Sequence, residues 1–273
     1  MSTHRPLAVV TGASSGIGMV YAERLAERGY NLLLVARRKE RLEELRNKIR
    51  AKTSAEVEIL AADLGNPDGL ARVASLLAQR SDMDLLVNNA GLGALGASSQ
   101  VSAEALRNLV EINVQALTSL THAVLPGFLA RDHGTIVNIA SIIALIPSPT
   151  GAGYSGSKAY VLNFSRSLQM ELAKTNVRVQ VVLPGPVRTE FFEASGLKQA
   201  PFPDEMFISA TELVDLALAA LDRNELVYFP SLEDMSAWTA FEAARIALVR
   251  SLTKSPQSAE PRRPFGDSKA DLL

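Results

Sequence analysis

The feature that most constrains this chain is a rhythm of short, almost uninterrupted apolar runs separated by helix-length segments. "LAVV" at 7–10, "NLLLV" at 31–35, "VEIL" at 57–60 and "DLLVN" at 84–88 open the series, and "TIVNI" at 135–139, "VRVQVVL" at 177–183 and "LVYF" at 226–229 complete it. A strand with one wet face alternates apolar and polar residues. A parallel strand covered on both faces is apolar nearly throughout, and its crossover to the next strand is long enough for a helix. The pattern therefore predicts an α/β fold built on a seven-stranded parallel sheet. The intervening segments suit the cover. "KERLEELRNKIR" sets Leu42, Leu45 and Ile49 at helical spacing, and "IGMVYAERLAERG" ends on Gly29, a residue suited to closing a helix. "AYVLNFSRSL" is apolar over more than one face, which predicts burial on two sides, with a second subunit as one candidate cover.

Composition narrows function mainly by exclusion. With 273 residues, 47% of them hydrophobic, the chain can bury a large core. A net charge of −1 supplies no global field for nucleic acid or an anionic membrane, and the scattered arginines make no basic face. The absence of cysteine excludes disulfides, thiolate metal sites and a Cys nucleophile, and it suits a reducing cytoplasm, the expected location. His4, His122 and His133 are scattered and predict no metal site. The apolar run before Thr11 and Gly12 is too short for a signal peptide, and no stretch is long enough for a membrane span, so the chain reads as soluble. Residues 254–273, rich in Pro, Ser and charge, are expected to form a flexible tail behind a domain covering 1–253.

The first run leads into "TGASSGIG", a strand-to-helix turn carrying Gly12, Ser14, Ser15, Gly16, Ile17 and Gly18. Glycines let backbone approach a pyrophosphate, and the helix that follows aims unpaired N–H groups at the anion. In such folds an acid ending the second strand bonds the ribose 2′-OH of NAD, whereas Arg accommodates the 2′-phosphate of NADP. Here Ala36 is followed by Arg37 and Arg38, with no acid, so NADP(H) is the expected cofactor; the bland reading is two solvated residues opening a helix. Asp63, followed by Leu64, comes after the third run and is read as a helix N-cap or as a neighbour of bound adenine, two compatible roles. In "VNNAG", Asn88 and Asn89, followed by Ala90 and Gly91, either satisfy backbone groups or line the cofactor cleft.

Ser141 follows the fifth run, and "GAGYSGSKAY" places Tyr154 one helical turn before Lys158. A strand end and the next helix converge at the carboxyl edge of an open sheet, where ligands bind. A phenol is a poor base near neutrality; an adjacent Lys ammonium, with the positive charge of an oxidised nicotinamide, favours phenolate and draws its pKa toward working pH, so Tyr154 is read as the acid or base of carbonyl reduction and its reverse. Ser141 would orient the carbonyl oxygen. Asn113, in "VEINVQ", is either a satisfied core Asn or part of a water relay to Lys158. Gly156, on the far side of the helix from Tyr154, is read as permitting close approach of a neighbouring element, with a subunit contact as one candidate.

"TGASSGIG", "NNAG", the Asn of "EINV", Ser141, "YSGSK" and "PGPVRT" at 184–189 occur in one order along one α/β chain. Together they resemble the classical short-chain dehydrogenase/reductase family from about Leu7 to Tyr228. The resemblance implies a single Rossmann-type doubly wound domain and a tetrad of Asn113, Ser141, Tyr154 and Lys158. It also implies that Lys158 holds the nicotinamide ribose and that Pro184, Gly185, Val187 and Thr189 contact the nicotinamide end. A homodimer or homotetramer built through the helices carrying Asn113 and Tyr154 is implied as well. One departure is Gly156, where Ala is usual in the family.

Residues 190–210 form a long segment with Phe191, Phe192, Phe202, Met206 and Phe207, expected to be a lid over an apolar substrate; plain packing is the alternative. The reading is an NADP(H)-dependent oxidoreductase interconverting a moderately hydrophobic ketone or aldehyde and its alcohol. A non-catalytic NADP-binding regulator is the alternative, and the intact tetrad argues against it.

Overall fold

In the computed structural model of the protein, residues 5–195 and 202–252 are described. The first compact unit runs from Met1 to Ser231. Its main sheet has the order β3-β2-β1-β4-β5-β6-β9, parallel throughout: β1 Leu7–Thr11, β2 Asn31–Ala36, β3 Val57–Ala61, β4 Met83–Asn88, β5 Gly134–Ile139, β6 Val177–Val182 and β9 Val227–Tyr228. This is the expected seven-stranded doubly wound sheet. The central strands β1 and β2 are apolar almost throughout because successive residues feed opposite cores. On β1 and β2, Ala8, Val10, Leu32 and Leu34 join a cluster with Leu42, Leu45, Ile49 and Leu213. Leu7, Val9, Leu33 and Val35 join the other, with Val73, Leu120, Phe128 and Leu168.

Helices α1 Gly16–Glu27, α2 Lys39–Lys52 and α8 Ala210–Asp222 cover the first face, and α3 Pro67–Ala78, α5 Leu117–Arg131 and α6 Ala152–Glu171 the second. Leu42, Leu45 and Ile49 are the buried residues of α2, as their spacing requires. Gly29 (φ +91°) closes α1, with its N–H on Ala26 O at 3.0 Å and that of Tyr30 on Leu25 O at 3.0 Å. Ser209 caps α8 by accepting from Glu212 N at 3.0 Å.

Three local features depart from the expectation. Asn113 sits in a π-helical turn, Glu111–Ala116, between α4 (Ala103–Val110) and α5. A two-residue ladder, β7 Val187–Arg188 with β8 Ile208–Ser209, brackets the segment that contains the single turn α7, Phe191–Ala194. On α6, Gly156, Tyr160 and Met170 remain exposed along one stripe, and a Cβ built on Gly156 meets nothing within 4 Å. Among the described residues of this chain nothing makes the close approach expected at Gly156, which leaves a contact with another subunit.

The second unit, Leu232–Leu273, contains α9, Ser236–Leu252, in which Trp238 and Phe241 stack with ring centroids 5.6 Å apart. The expected tail at 254–273 and part of the expected lid, 196–201, lie outside the described residues.

Candidate active site

Strand order reverses between β1 and β4: β1 leads sideways to β2, while β4 on its other side leads to β5. A crevice opens at such a switch point beyond the carboxyl ends of the strands. Thr11, the last residue of β1, is buried and ties β1 to the end of β4 there. Its hydroxyl donates to Val87 O at 3.1 Å and accepts from Asn89 N and Ala90 N, each at 3.0 Å. Asn89 donates to Thr11 O at 2.9 Å and Gly12 O at 3.3 Å, so it satisfies backbone groups of the glycine turn. Gly12 has φ +65°, and a Cβ on Gly18 would collide with Asn89 Nδ2 and Gly12 O, so both positions need glycine. Ser15 precedes α1 but makes no side-chain cap, leaving the first-turn N–H groups open to an anion. Thr189 lies over this turn, its Cγ2 3.0 Å from where a Gly16 Cβ would stand. Ile17 packs partly on the core, Leu64 is buried and Val187 is buried.

At the outer end, Arg38 donates to Ser14 Oγ at 3.1 and 3.2 Å and to Ser15 Oγ at 2.7 Å, so a guanidinium spans the glycine turn. Arg37 is exposed and makes no hydrogen bond or ion pair among the described residues. Asp63 is exposed and accepts from Gly65 N at 3.0 Å. It does not cap α3. Asn66 does, accepting from Asp68 N at 2.9 Å and Gly69 N at 3.2 Å, because Pro67 supplies the first helical position.

At the inner end, Lys158 Nζ is buried, donates to Ile139 O at 2.8 Å at the end of β5, and lies 5.7 Å from the centroid of the Tyr154 ring. Burial lowers the Lys158 ammonium to about 8. Burial also raises the Tyr154 phenol well above its usual range, with hydrogen bonding toward Ser141 acting the other way. Without the positive charge of a nicotinamide, desolvation of the phenolate dominates and the phenol keeps its proton. Ser141 accepts from Ile143 N at 3.3 Å, capping the 3₁₀ turn Ile142–Leu145, and donates to Pro184 O at 3.2 Å, joining β5 to the "PGPVRT" segment. A Gly185 Cβ would stand 3.8 Å from Ile142 Cδ1 in the same turn.

Asn113 is buried, accepts from Leu92 N at 2.8 Å, and donates to Leu92 O at 2.9 Å and Ser157 Oγ at 3.0 Å. It is thus a satisfied core Asn that clamps the backbone beyond Gly91. Its Oδ1 and Lys158 Nζ both border that glycine, 3.4 and 3.8 Å from its Cβ position. Asn88 points away from the cleft into a buried ladder, donating to Thr121 Oγ1 at 3.1 Å and Asn138 Oδ1 at 2.9 Å; Asn138 then donates to Ser165 Oγ at 2.9 Å.

The Phe191 ring lies 5.4 Å from that of Tyr154 and 5.6 Å from Phe192, which meets Phe207 at 5.8 Å and Phe202 at 6.0 Å. An aromatic wall therefore borders the phenol. The glycine turn, the uncapped helix N-terminus, the guanidinium across it and the buried ammonium together fit a dinucleotide whose phosphates lie at the turn. Sequence reasoning passed over Thr11, Ser157 and the placement of Phe191 against Tyr154; the first two carry only hydroxyl groups inside ordinary strand and helix sequence.

The short chain dehydrogenase family profile matches residues 6–200. The chain belongs to the short-chain dehydrogenase/reductase family. Among solved structures, a short-chain dehydrogenase from Sphingobium yanoikuyae in complex with NADPH is 40% identical, with a TM-score of 0.89 over 94% of this chain and 100% of that one. The bulky-bulky ketone specific alcohol dehydrogenase from Comamonas testosteroni is 36% identical, with a TM-score of 0.85 over 93% of this chain and 98% of that one. Inactive hydroxysteroid dehydrogenase-like protein 1 from Homo sapiens is 36% identical over 184 residues, 67% of this chain and 56% of that protein. The chain therefore spans little more than half the length of that relative. Family members of similar structure hold NADPH or NADP. Among the described residues no helix is long and apolar enough to cross a membrane.

Proposed function

We propose that this protein is an NADP(H)-dependent oxidoreductase that interconverts a bulky, moderately hydrophobic ketone or aldehyde and the corresponding alcohol. The observation that carries the reading is geometric: the Tyr154 ring lies 5.7 Å from the buried Lys158 Nζ and 5.4 Å from the Phe191 ring, so a phenol, an ammonium and an aromatic wall meet at one point of the cleft. When bound, the nicotinamide supplies or accepts the hydride. Tyr154 gives its proton to the carbonyl oxygen in reduction and takes the alcohol proton in oxidation. Ser141 orients that oxygen, Lys158 holds the nicotinamide ribose and supports the charge on Tyr154, and Asn113 keeps the segment after β4 in place. Gly12, Ser14, Ser15, Gly16, Ile17 and Gly18 seat the phosphates, while Arg38 and, from outside, Arg37 face the 2′-phosphate. Asp63 and Leu64 border the adenine; Asn89, Ala90, Gly91, Pro184, Gly185, Val187 and Thr189 border the rest.

The segment 190–210 acts as a lid whose Phe191 walls the substrate. The ketone specificity of the Comamonas relative and the NADPH of the Sphingobium relative support the substrate and cofactor readings. The exposed stripe of α6, with Tyr160 and Met170, serves as the contact of a homodimer or homotetramer. The non-catalytic alternative draws support from the relative named inactive, and the intact tetrad counts against it. Consumption of NADPH and NADH against a panel of bulky and small ketones tests the reading. Turnover of bulky ketones with NADPH, and little with NADH, is expected; NADPH binding without turnover of any member would favour the regulator.

A further inference from the structure

One carboxylate in this cleft has no part in the reading above. Glu190, directly after Thr189, accepts from Arg38 Nη1 at 3.0 Å and from Arg41 Nη1 at 2.6 and 2.9 Å. Two guanidiniums from the start of α2 therefore converge on one anion. Arg38 reaches the Ser14 and Ser15 hydroxyls with the rest of its fork, so this anion stands at the rim of the glycine turn. Arg37 makes no such contact. The two arginine side chains and the carboxylate are each about half exposed, at 42%, 43% and 49%.

The chemistry of the donor set is that of a phosphate site. Paired planar guanidiniums and hydroxyl donors suit a dianionic phosphate better than a single carboxylate. Exposed ion pairs contribute little net free energy, so exchanging one anion for another here is easy, and the dianion gains more from two cations.

We propose that Arg41, together with Arg38, receives the 2′-phosphate of the cofactor, and that Glu190 is an internal anion occupying the two guanidiniums until that phosphate displaces it. This rests on the NADP(H) reading. Glu190 then acts in two ways. It keeps the guanidiniums gathered in the cofactor-free protein, and it competes with the 2′-phosphate, so that affinity for the phosphorylated cofactor is set below what the arginines alone would give.

Calorimetric titration with 2′,5′-ADP and 5′-AMP, which differ only in the 2′-phosphate, tests this without turnover. The wild type should bind 2′,5′-ADP more tightly than 5′-AMP. Glu190→Gln should tighten 2′,5′-ADP by about 2- to 5-fold, the size expected for release from an exposed ion pair, and leave 5′-AMP unchanged. Arg41→Gln should weaken 2′,5′-ADP about tenfold and leave 5′-AMP within about twofold. Weaker or unchanged 2′,5′-ADP binding in Glu190→Gln overturns the competition, and equal losses of both nucleotides in Arg41→Gln overturn the assignment of Arg41. Equal affinity of the wild type for the two nucleotides would instead remove the NADP(H) reading itself.

Discussion

The two ends of the cleft are built on opposite physical terms. At the inner end Lys158 is buried on a single backbone carbonyl and the Tyr154 phenol is desolvated, so protonation states are set by exclusion of water. At the outer end Arg38, Arg41 and Glu190 stand about half in solvent and satisfy one another by exchangeable ion pairs. Shaping a proton donor requires a fixed, dry environment, because a phenol that wanders into water regains its ordinary pKa. Selecting a charged cofactor requires donors that can let go of one anion and take another, which water and exposure permit. Substitutions should follow this division: changes at the inner end should alter turnover, and those at the outer end should alter binding.

Apart from the loss of the Tyr154 hydroxyl itself, the largest effect should come from Lys158→Met. Loss of the ammonium removes electrostatic support for Tyr154, and ketone reduction at saturating NADPH should fall by about 10²-fold or more. Retained turnover would show that burial alone shapes the inner end. Next in size is Arg38→Gln, which should weaken NADPH binding about tenfold in a fluorescence titration, with a smaller loss for Arg37→Gln. The reverse order would place the exchangeable site at Arg37.

The pH dependence sharpens the contrast further. Lys158 loses its charge above about 8, so reduction should decline as pH rises through that value, while the raised Tyr154 stays protonated. Stability should move the other way. Between about 8 and the ordinary Lys value of 10.5 the unfolded chain binds the proton that the folded chain has shed, so this site makes stability rise with pH, by at most ~1.4 kcal/mol per unit. Urea unfolding of wild type and Lys158→Met across that window checks this, since the variant should lack the rise.

The smallest effect is expected on the outer side of α6. Gly156→Ala places a methyl in open space and should stabilise the helix by roughly 0.5–1 kcal/mol. In an assembled protein the same methyl enters the proposed subunit contact, so a loss, or a gain that varies with protein concentration in thermal melts, supports that contact, and a gain independent of concentration counts against it.

The parts of this molecule governed by burial were legible in the sequence. All seven strands of the main sheet are apolar runs with ends within about one or two residues of those read, since a two-sided sheet leaves few polar positions to confuse the pattern. The glycine turn was legible for the same reason that it works, because backbone at positive φ and in close approach admits little else. What depended on one side chain choosing among neighbours was not legible. Asn66 rather than Asp63 caps α3, a matter of where Pro67 falls. The π turn around Asn113 has no mark in "EINVQA", which reads as ordinary helix. Glu190 meets Arg38 and Arg41 across about 150 positions of sequence, and an acid beside "PGPVRT" carries no mark of its distant partners.

The central claim is that Tyr154 performs proton transfer while the outer end binds the cofactor independently. The most direct test pairs NADPH-dependent reduction of a bulky ketone with NADPH titration in wild type and Tyr154→Phe, which removes one hydroxyl and keeps the ring against Phe191. The account predicts turnover lower by about 10²- to 10⁴-fold with NADPH affinity within about twofold of wild type. Equal turnover in the two proteins would contradict it.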